Sequence, residues 1–359
     1  MVKSNNFNNI YKGKNVLITG HTGFKGAWLS IWLKELGANV IGYSLEPYTN
    51  KDLYVLSKLN KHIIEIIGDI RDRKKLEEVF EKYQPEYVFH LAAQPLVIES
   101  YIDPVYTFET NIMGTINILE CIRKTNATKV GILVTSDKCY ENKEQVWGYR
   151  ENDNLGGFDP YSASKGSAEI IINSYRHSFM NINDFEKHNK SIASVRAGNV
   201  IGGGDWQKNR IIPDCIKAIE NNETIYLRNP LSIRPWQYVL EPLRGYLLLG
   251  EKMTNEPKKY SDCFNFAPNL SSVINVEKLA NLLVSSYGEC KIEKNKNISE
   301  YYESSVLNLD ISKAYFKLDW YPKLDIENTI KYTVDWYKNY KENNVYDLCV
   351  NQILKYINE

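Results

Sequence analysis

The stretch VLITGHTGFKG, Val16–Gly26, sets an apolar run before three glycines, Gly20, Gly23 and Gly26, and a helical pattern after them. In a strand–turn–helix unit each glycine has a separate use. Gly20 permits the tight turn, Gly23 lets backbone approach a pyrophosphate, and Gly26 allows the helix to pack closely on the strand. The helix N-terminus then offers free N–H groups and the positive end of its dipole to the phosphates. The spacing is G-x-x-G-x-x-G instead of G-x-G-x-x-G, so the triplet draws its weight from its place between strand and helix.

Outward from this loop the same rhythm continues. Strands are predicted at Asn15–Thr19, Asn39–Tyr43, Ile63–Ile67, Tyr87–Leu91, Lys129–Thr135 and Ser191–Arg196, with helices at Lys25–Leu36, Arg71–Tyr83, Val105–Thr125 and Tyr161–Phe179. Near-continuous apolar strands separated by helices imply an α/β fold whose parallel sheet is covered on both faces. Beyond about Asn199 the pattern breaks into loops, short strands and helices rich in Pro and Asn. A smaller lobe over the carboxyl ends of the strands is expected there, where open α/β sheets bind ligands. The division expected is residues 1–198 for the dinucleotide-binding domain, with segments near 238–266 returning to it, and 199–359 mainly for the substrate lobe. The polar inserts Asn181–Lys190 and Lys291–Glu300 read as surface loops.

Composition excludes several classes. Across 359 residues, 44 Lys and Arg balance 44 Asp and Glu, so no net field favours nucleic acid or a membrane surface. The opening MVKSNNFNN lacks the apolar core of a signal peptide, and no run reaches the length of a membrane span, so a cytoplasmic protein is expected. The six cysteines (Cys121, Cys139, Cys215, Cys263, Cys290, Cys349) show no C-x-x-C spacing, and the five histidines form no ligand pair, so no metal is expected.

Two further segments carry chemistry. Tyr161 and Lys165, in DPYSASKGSAE, lie four apart on one helical face, where an ammonium stabilises a phenolate and lowers the tyrosine toward neutrality. Such a tyrosine accepts a proton from an alcohol as hydride leaves for nicotinamide. Thr135-Ser136-Asp137-Lys138 ends a β-rich run on the same edge, although Asp137 there could instead cap the next element and Lys138 be solvated. At the end of the second strand, where an acidic residue usually holds the adenosine ribose, the chain has Ser44. A serine serves either ribose or a 2′-phosphate, and the lack of Arg or Lys in Gly42–Tyr48 tilts the reading to NAD over NADP. Asp69 accepts from the adenine amino group or caps the following helix.

In this order and spacing, TGHTGFKG, GDIRD, HLAAQ and Y-x-x-x-K resemble the extended short-chain dehydrogenase/reductases, over nearly the whole chain. Finer motifs, GYSLEP, HLAAQPLV, VTSDKCYEN and RPWQYVLEP, resemble the CDP-glucose 4,6-dehydratase branch. The resemblance implies a Rossmann-type, doubly wound sheet with a smaller C-terminal lobe, bound NAD, a nucleotide-sugar substrate and a homodimer or homotetramer. It places Gly20, Thr22, Gly23, Phe24, Gly26, Ser44, Asp69, Ile70, Leu91, Ala92, Ala93, Asn111, Tyr161 and Lys165 around the cofactor. Gln94, Ser136, Asn199, Arg210 and Arg234 are assigned to the substrate, with Arg234 and Asn199 on its diphosphate. Asn111 supports Lys165 through a water. Ser136 contacts the sugar O4, Tyr161 is the base, and Asp137 is the acid for the departing O6.

Wider sugar dehydratases have Glu after that Asp; this chain has Lys138, which either removes the C5 proton or stabilises the enolate. Three alternatives stand beside this reading: a UDP-N-acetylhexosamine 4,6-dehydratase, a UDP-hexose 4-epimerase, and a non-enzymatic NAD-binding sensor or scaffold. An epimerase needs no acid at O6, and a sensor needs only the glycine loop.

Overall fold

In the computed structural model, which describes residues 6–294 and 306–359, the apolar runs of the N-terminal half form six strands. These are β1 Asn15–Thr19, β2 Asn39–Ser44, β3 Ile64–Ile67, β4 Tyr87–His90, β5 Val130–Val134 and β6 Ser191–Ala197. Seven shorter strands follow: β7 Val200–Ile201, β8 Ile225–Leu227, β9 Ile233–Pro235, β10 Gln237–Tyr238, β11 Cys263–Phe266, β12 Val273–Asn275 and β13 Ile292–Lys294. The central sheet runs β11-β6-β5-β4-β1-β2-β3, with every pairing parallel.

Period-2 alternation sends successive side chains to opposite layers. Val16 and Ile18 join a cluster with Trp28 and Trp32 of the first helix, Phe24–Glu35, and with Leu243 and Leu247 of helix Leu240–Asn255. Leu17 and Leu133 instead meet Leu76 and Phe80 of helix Arg73–Tyr83, Ile118 and Ile122 of helix Gly114–Lys124, and Ile172 of helix Pro160–Ser178. Both faces are thereby closed, which is why β4, β5 and β6 are buried at every position. Trp32 is fully buried, and truncating it to alanine would cost about 3–5 kcal/mol.

Strand order reverses between β1 and β4, so the loops leaving their carboxyl ends diverge to opposite faces and open a crevice. Over it lie the paired short strands of the C-terminal half: β7 with β10, β8 with β13, and antiparallel β9 with β12. Within the segment near 238–266 expected to return to the cofactor domain, Cys263–Phe266 extends the main sheet beyond β6, Cys263 opposite Ser194 and Phe266 opposite Ala197, although no strand is expected there from the sequence.

Two expectations change in detail. The helix expected over Val105–Thr125 is three pieces: Pro104–Phe108, a π-helical turn Glu109–Met113, and Gly114–Lys124. The Lys291–Glu300 insert is no loop where it is described, because Ile292–Lys294 pairs with β8; residues 295–300 lie outside the described residues, as do 1–5 of the opening segment. Asn181–Lys190 lies at the surface as two short helical turns. No helix among the described residues is long and apolar enough to cross a membrane.

Candidate active site

The crevice is a cleft of about 750 Å³. Its floor is the glycine loop. Gly20 sits at φ +79°, and a β carbon there would lie 2.8 Å from the Ala92 backbone nitrogen, so the loop after β1 and the loop after β4 touch backbone to backbone. Thr19 Oγ1 holds them together: it accepts from the N–H groups of Leu91 and Ala92 at 3.2 Å each and lies 2.7 Å from His90 Nδ1. Burial brings His90 down to about 3, so its ring is a neutral partner in this junction. The bare Cα of Gly23, where a β carbon would meet nothing nearer than the Gly20 carbonyl at 3.4 Å, leaves a backbone cradle at the start of the first helix, whose free N–H groups fit a dinucleotide pyrophosphate.

Thr22, Phe24, Ser44, Asp69, Ile70, Leu91, Ala92 and Ala93 all line this cleft with the three glycines. The Ser44 hydroxyl is 2.8 Å from Thr22 Oγ1, which in turn donates to the Leu45 carbonyl. Asp69 is not the cap of the helix that follows; Asp72 is, accepting from Lys75 N, while Asp69 pairs with Arg71 at 2.8 Å. Asn111 and Gln94 do not reach the cleft. Both ends of the Gln94 amide are occupied, by Thr107 Oγ1 and by the Leu96 N–H. Asn111, turned inward by the π-helical turn, donates to Ser164 Oγ at 2.9 Å and to the Gln94 carbonyl, and it accepts from Gln94 N. It therefore braces the Tyr161 helix directly, and Gln94 anchors the loop after β4 through Thr107 and Leu96.

Asp159 caps helix Pro160–Ser178, accepting from Ser162 N at 2.9 Å, with Pro160 at the first helical position. Tyr161 and Lys165 thus sit in the first two turns, facing Thr135–Lys138 at the end of β5. A short 3₁₀ turn, Asp137–Cys139, is capped by Ser136 instead of Asp137, with Ser136 Oγ accepting from Lys138 N. Ser136 Oγ also donates to Asp137 Oδ1 at 2.9 Å. Across from it, a β carbon on Gly198 would come within 2.9 Å of Asp137 Oδ2.

Burial dominates the electrostatics. It pushes the Tyr161 phenol up to about 12, and the Ser136 hydroxyl offsets this only in part. The lowering expected from Lys165 does not prevail, since its ammonium stands 6.0 Å from the Tyr161 ring centroid. Burial, followed by the nearby Lys25 ammonium, brings Lys165 itself down to about 8. Burial also raises the Asp137 carboxyl against the pull of Lys138, Ser136 and Arg234, which favours its protonated form. Lys138, Asn199, Arg210 and Arg234 line the same cleft. Arg210 pairs with Asp205 at 2.8 Å, and Arg234 donates to the Ile233 carbonyl.

Lys25 was overlooked in the sequence. It lines the cleft with Asp137 and Arg210, and burial, followed by the Arg210 charge, brings it down to about 8. The signal was present: a cation in the first turn of a helix opposes the dipole and calls for an anionic neighbour.

The family profile described as GDP-mannose 4,6 dehydratase matches residues 17–333. A CDP-glucose 4,6-dehydratase of Salmonella typhimurium is 46% identical over 330 residues, covering 92% of each chain. Among solved structures, a dTDP-glucose 4,6-dehydratase of Bacillus anthracis in complex with NAD superposes with a TM-score of 0.75 at 20% identity, over 92% of this chain and 98% of that one. A UDP-glucose 4-epimerase of Thermotoga maritima with UDP-glucose gives 0.75 at 24% identity, over 91% and 100%. Dehydratases and epimerases share this fold, so the fold alone does not choose between them.

Proposed function

The chain belongs to the GDP-mannose 4,6-dehydratase family of extended short-chain dehydrogenase/reductases, and from that premise we infer that it removes water from a nucleotide-linked hexose, converting CDP-glucose to CDP-4-dehydro-6-deoxyglucose. The 46% identity over 92% of both chains supports the cytidine nucleotide and the glucose. The observation that carries dehydration over epimerisation is Asp137, a buried carboxyl that accepts from Ser136 in the cleft that holds Tyr161 and that burial raises above the ordinary carboxylate range.

NAD is the cofactor this reading assigns; the glycine loop would hold it, and when bound it would supply hydride acceptance and return, together with a positive charge. Tyr161 takes the O4 proton during oxidation at C4 once the cofactor's positive charge joins the Lys165 ammonium in stabilising its phenolate against burial, and Ser136 steadies O4 by a hydrogen bond. Lys165, near 8, keeps an ammonium beside the phenol at neutral pH and exchanges its proton readily. The 4-ketone acidifies the C5–H bond, and Lys138 serves at that carbon, as the base or as the cation that stabilises the enolate. Asp137 gives its proton to O6 so that water leaves. Arg234, Arg210 and Asn199 hold the diphosphate, a role that suits the planar guanidinium fork.

Residues 1–198, with the returning segment near 238–266, form the cofactor domain in this reading, and most of 199–359 the substrate lobe; the β6–β11 pairing supports it. We also place the protein in the cytoplasm, where its free thiols stay reduced, as a homodimer or homotetramer. Exposed Ile102, Val105, Met113 and Ile170, on neighbouring helical segments, support the assembly. A panel of CDP-, UDP-, dTDP- and GDP-hexoses assayed for 4-keto product tests the activity. Turnover of CDP-glucose is expected, and turnover restricted to another nucleotide would overturn the substrate.

A further inference from the structure

Glu169 is a buried acid that the chemistry above leaves unused. It stands one turn beyond Lys165 and two beyond Tyr161 on the same helix. Its side chain and that of Arg196 on β6 are each only 3% exposed, and Arg196 Nη2 lies 2.7 Å from Glu169 Oε2. Apart from a bond from Arg196 Nη1 to the Glu151 carbonyl at 3.3 Å, the further bonds of the pair reach the active-site segment or the sheet beneath it. Thr135 Oγ1, one residue before Ser136, donates to Glu169 Oε1, and Ser194 Oγ donates to Oε2 at 2.7 Å. Arg196 Nη1 donates at 2.6 Å to the hydroxyl of Tyr140, directly after the Asp137–Cys139 turn, and Tyr140 donates to Asn265 on β11 at 2.8 Å. One ion pair thus ties the helix of Tyr161 and Lys165 to both ends of the segment bearing Ser136, Asp137 and Lys138.

A buried ion pair is a poor source of stability, since apolar residues of similar volume often replace it without loss. Its use lies in fixing geometry. We propose that Glu169 and Arg196 are positioning residues that hold Tyr161 and Lys165 in register with Ser136 and Asp137 during turnover. The proposal rests on those four residues forming the reacting group. An electrostatic effect accompanies it. Burial raises the Glu169 carboxyl, but Arg196 and the two hydroxyl donors outweigh it and keep Glu169 ionised. That anion works to hold the Lys165 proton against burial and Lys25.

Glu169→Gln keeps the shape and removes the charge. KM for CDP-glucose is expected to stay within about threefold, and kcat to fall more than about tenfold. The alkaline limb of kcat should move to lower pH by about half a unit, because Lys165 loses an anion that favours its charged form. In the E169L/R196M pair both charges go together; its Tm should equal or exceed that of the unaltered protein while kcat stays about tenfold down. If this pair does not fold, Arg196→Lys decides: it keeps the charge but loses the fork that reaches Glu169 and Tyr140 together, so kcat should fall more than about fivefold at constant Tm. Near-normal turnover by the pair, or by Arg196→Lys, or an E169Q loss that only tracks the folded fraction with an unmoved limb, would overturn the proposal. Normal turnover by Tyr161→Phe would overturn the reacting group instead.

Discussion

A β carbon placed on Gly26 would lie 2.0 Å from the carbonyl oxygen of Gly20, whereas one on Gly23 would meet that same oxygen at 3.4 Å. The third glycine is therefore demanded by contact of the first helix with its own loop, and the second is left open toward the cleft.

The two positions should separate on substitution. Gly23 has φ −79°, which alanine adopts freely, so Gly23→Ala should fold with its Tm within about 2 °C of the unaltered protein. Its added methyl stands where the pyrophosphate must approach, and NAD affinity should fall at least about tenfold. Gly26→Ala has to push helix from loop; its Tm should drop by several degrees before any cofactor is added. Thermal melts and calorimetric NAD titration check both, and equal behaviour would show that the two glycines are not distinguished in this way.

Tyr161→Phe removes one hydroxyl from a side chain that is otherwise packed. Folding and cofactor retention should persist while turnover falls by about a thousandfold or more. Rates measured at matched cofactor occupancy decide it; activity within about tenfold of normal means that another group takes the O4 proton.

Asp137→Asn keeps the hydrogen bond from Ser136 and loses the proton donor. Oxidation at C4 does not need that proton, so the reduced-cofactor absorbance should build up in a single turnover and then persist. In the unaltered protein the carboxyl is an acid only below its raised pKa. The dehydration step should accordingly slow as pH rises through that value, and the asparagine variant should lack this dependence. A variant that shows no absorbance with substrate bound would move Asp137 into the oxidation step.

Deuterium placed at C4 of the glucose should reappear at C6 of the product, and in heavy water one deuterium should enter at C5. Label that returns to C4 would indicate epimerisation, and label lost to free cofactor a simple dehydrogenase. Mass spectrometry and proton NMR of the product distinguish the three.

The parts legible in the sequence were those fixed by local chemistry. Strands buried on both faces are continuous apolar runs, and their ends came within a residue or two, as at Tyr87–His90 against an expected Tyr87–Leu91. Tyr161, Lys165, Ser136 and Asp137 could be singled out because helix and strand-end positions constrain where such groups point. What stayed hidden depends on distant partners. Gln94 looks like a cleft residue from its motif, but its direction is set by Thr107 and Leu96. The Glu169–Arg196 pair joins an acid that, read along the chain, resembles one on any solvated helix face to an arginine at the end of a strand. A strand of four residues at Cys263–Phe266 has no periodicity of its own, and only its pairing with β6 defines it.

That last pairing sets a condition on synthesis. Ser191–Ala197 is buried along its whole length in the finished protein, yet its outer edge is covered by residues made only after the intervening part of the lobe. Until Phe266 has left the ribosome, the outer edge of this strand offers unpaired N–H and C=O groups to any neighbouring chain. Nascent chains halted between β6 and β11 are accordingly the species most prone to self-association, and chaperone demand should fall once β11 has docked.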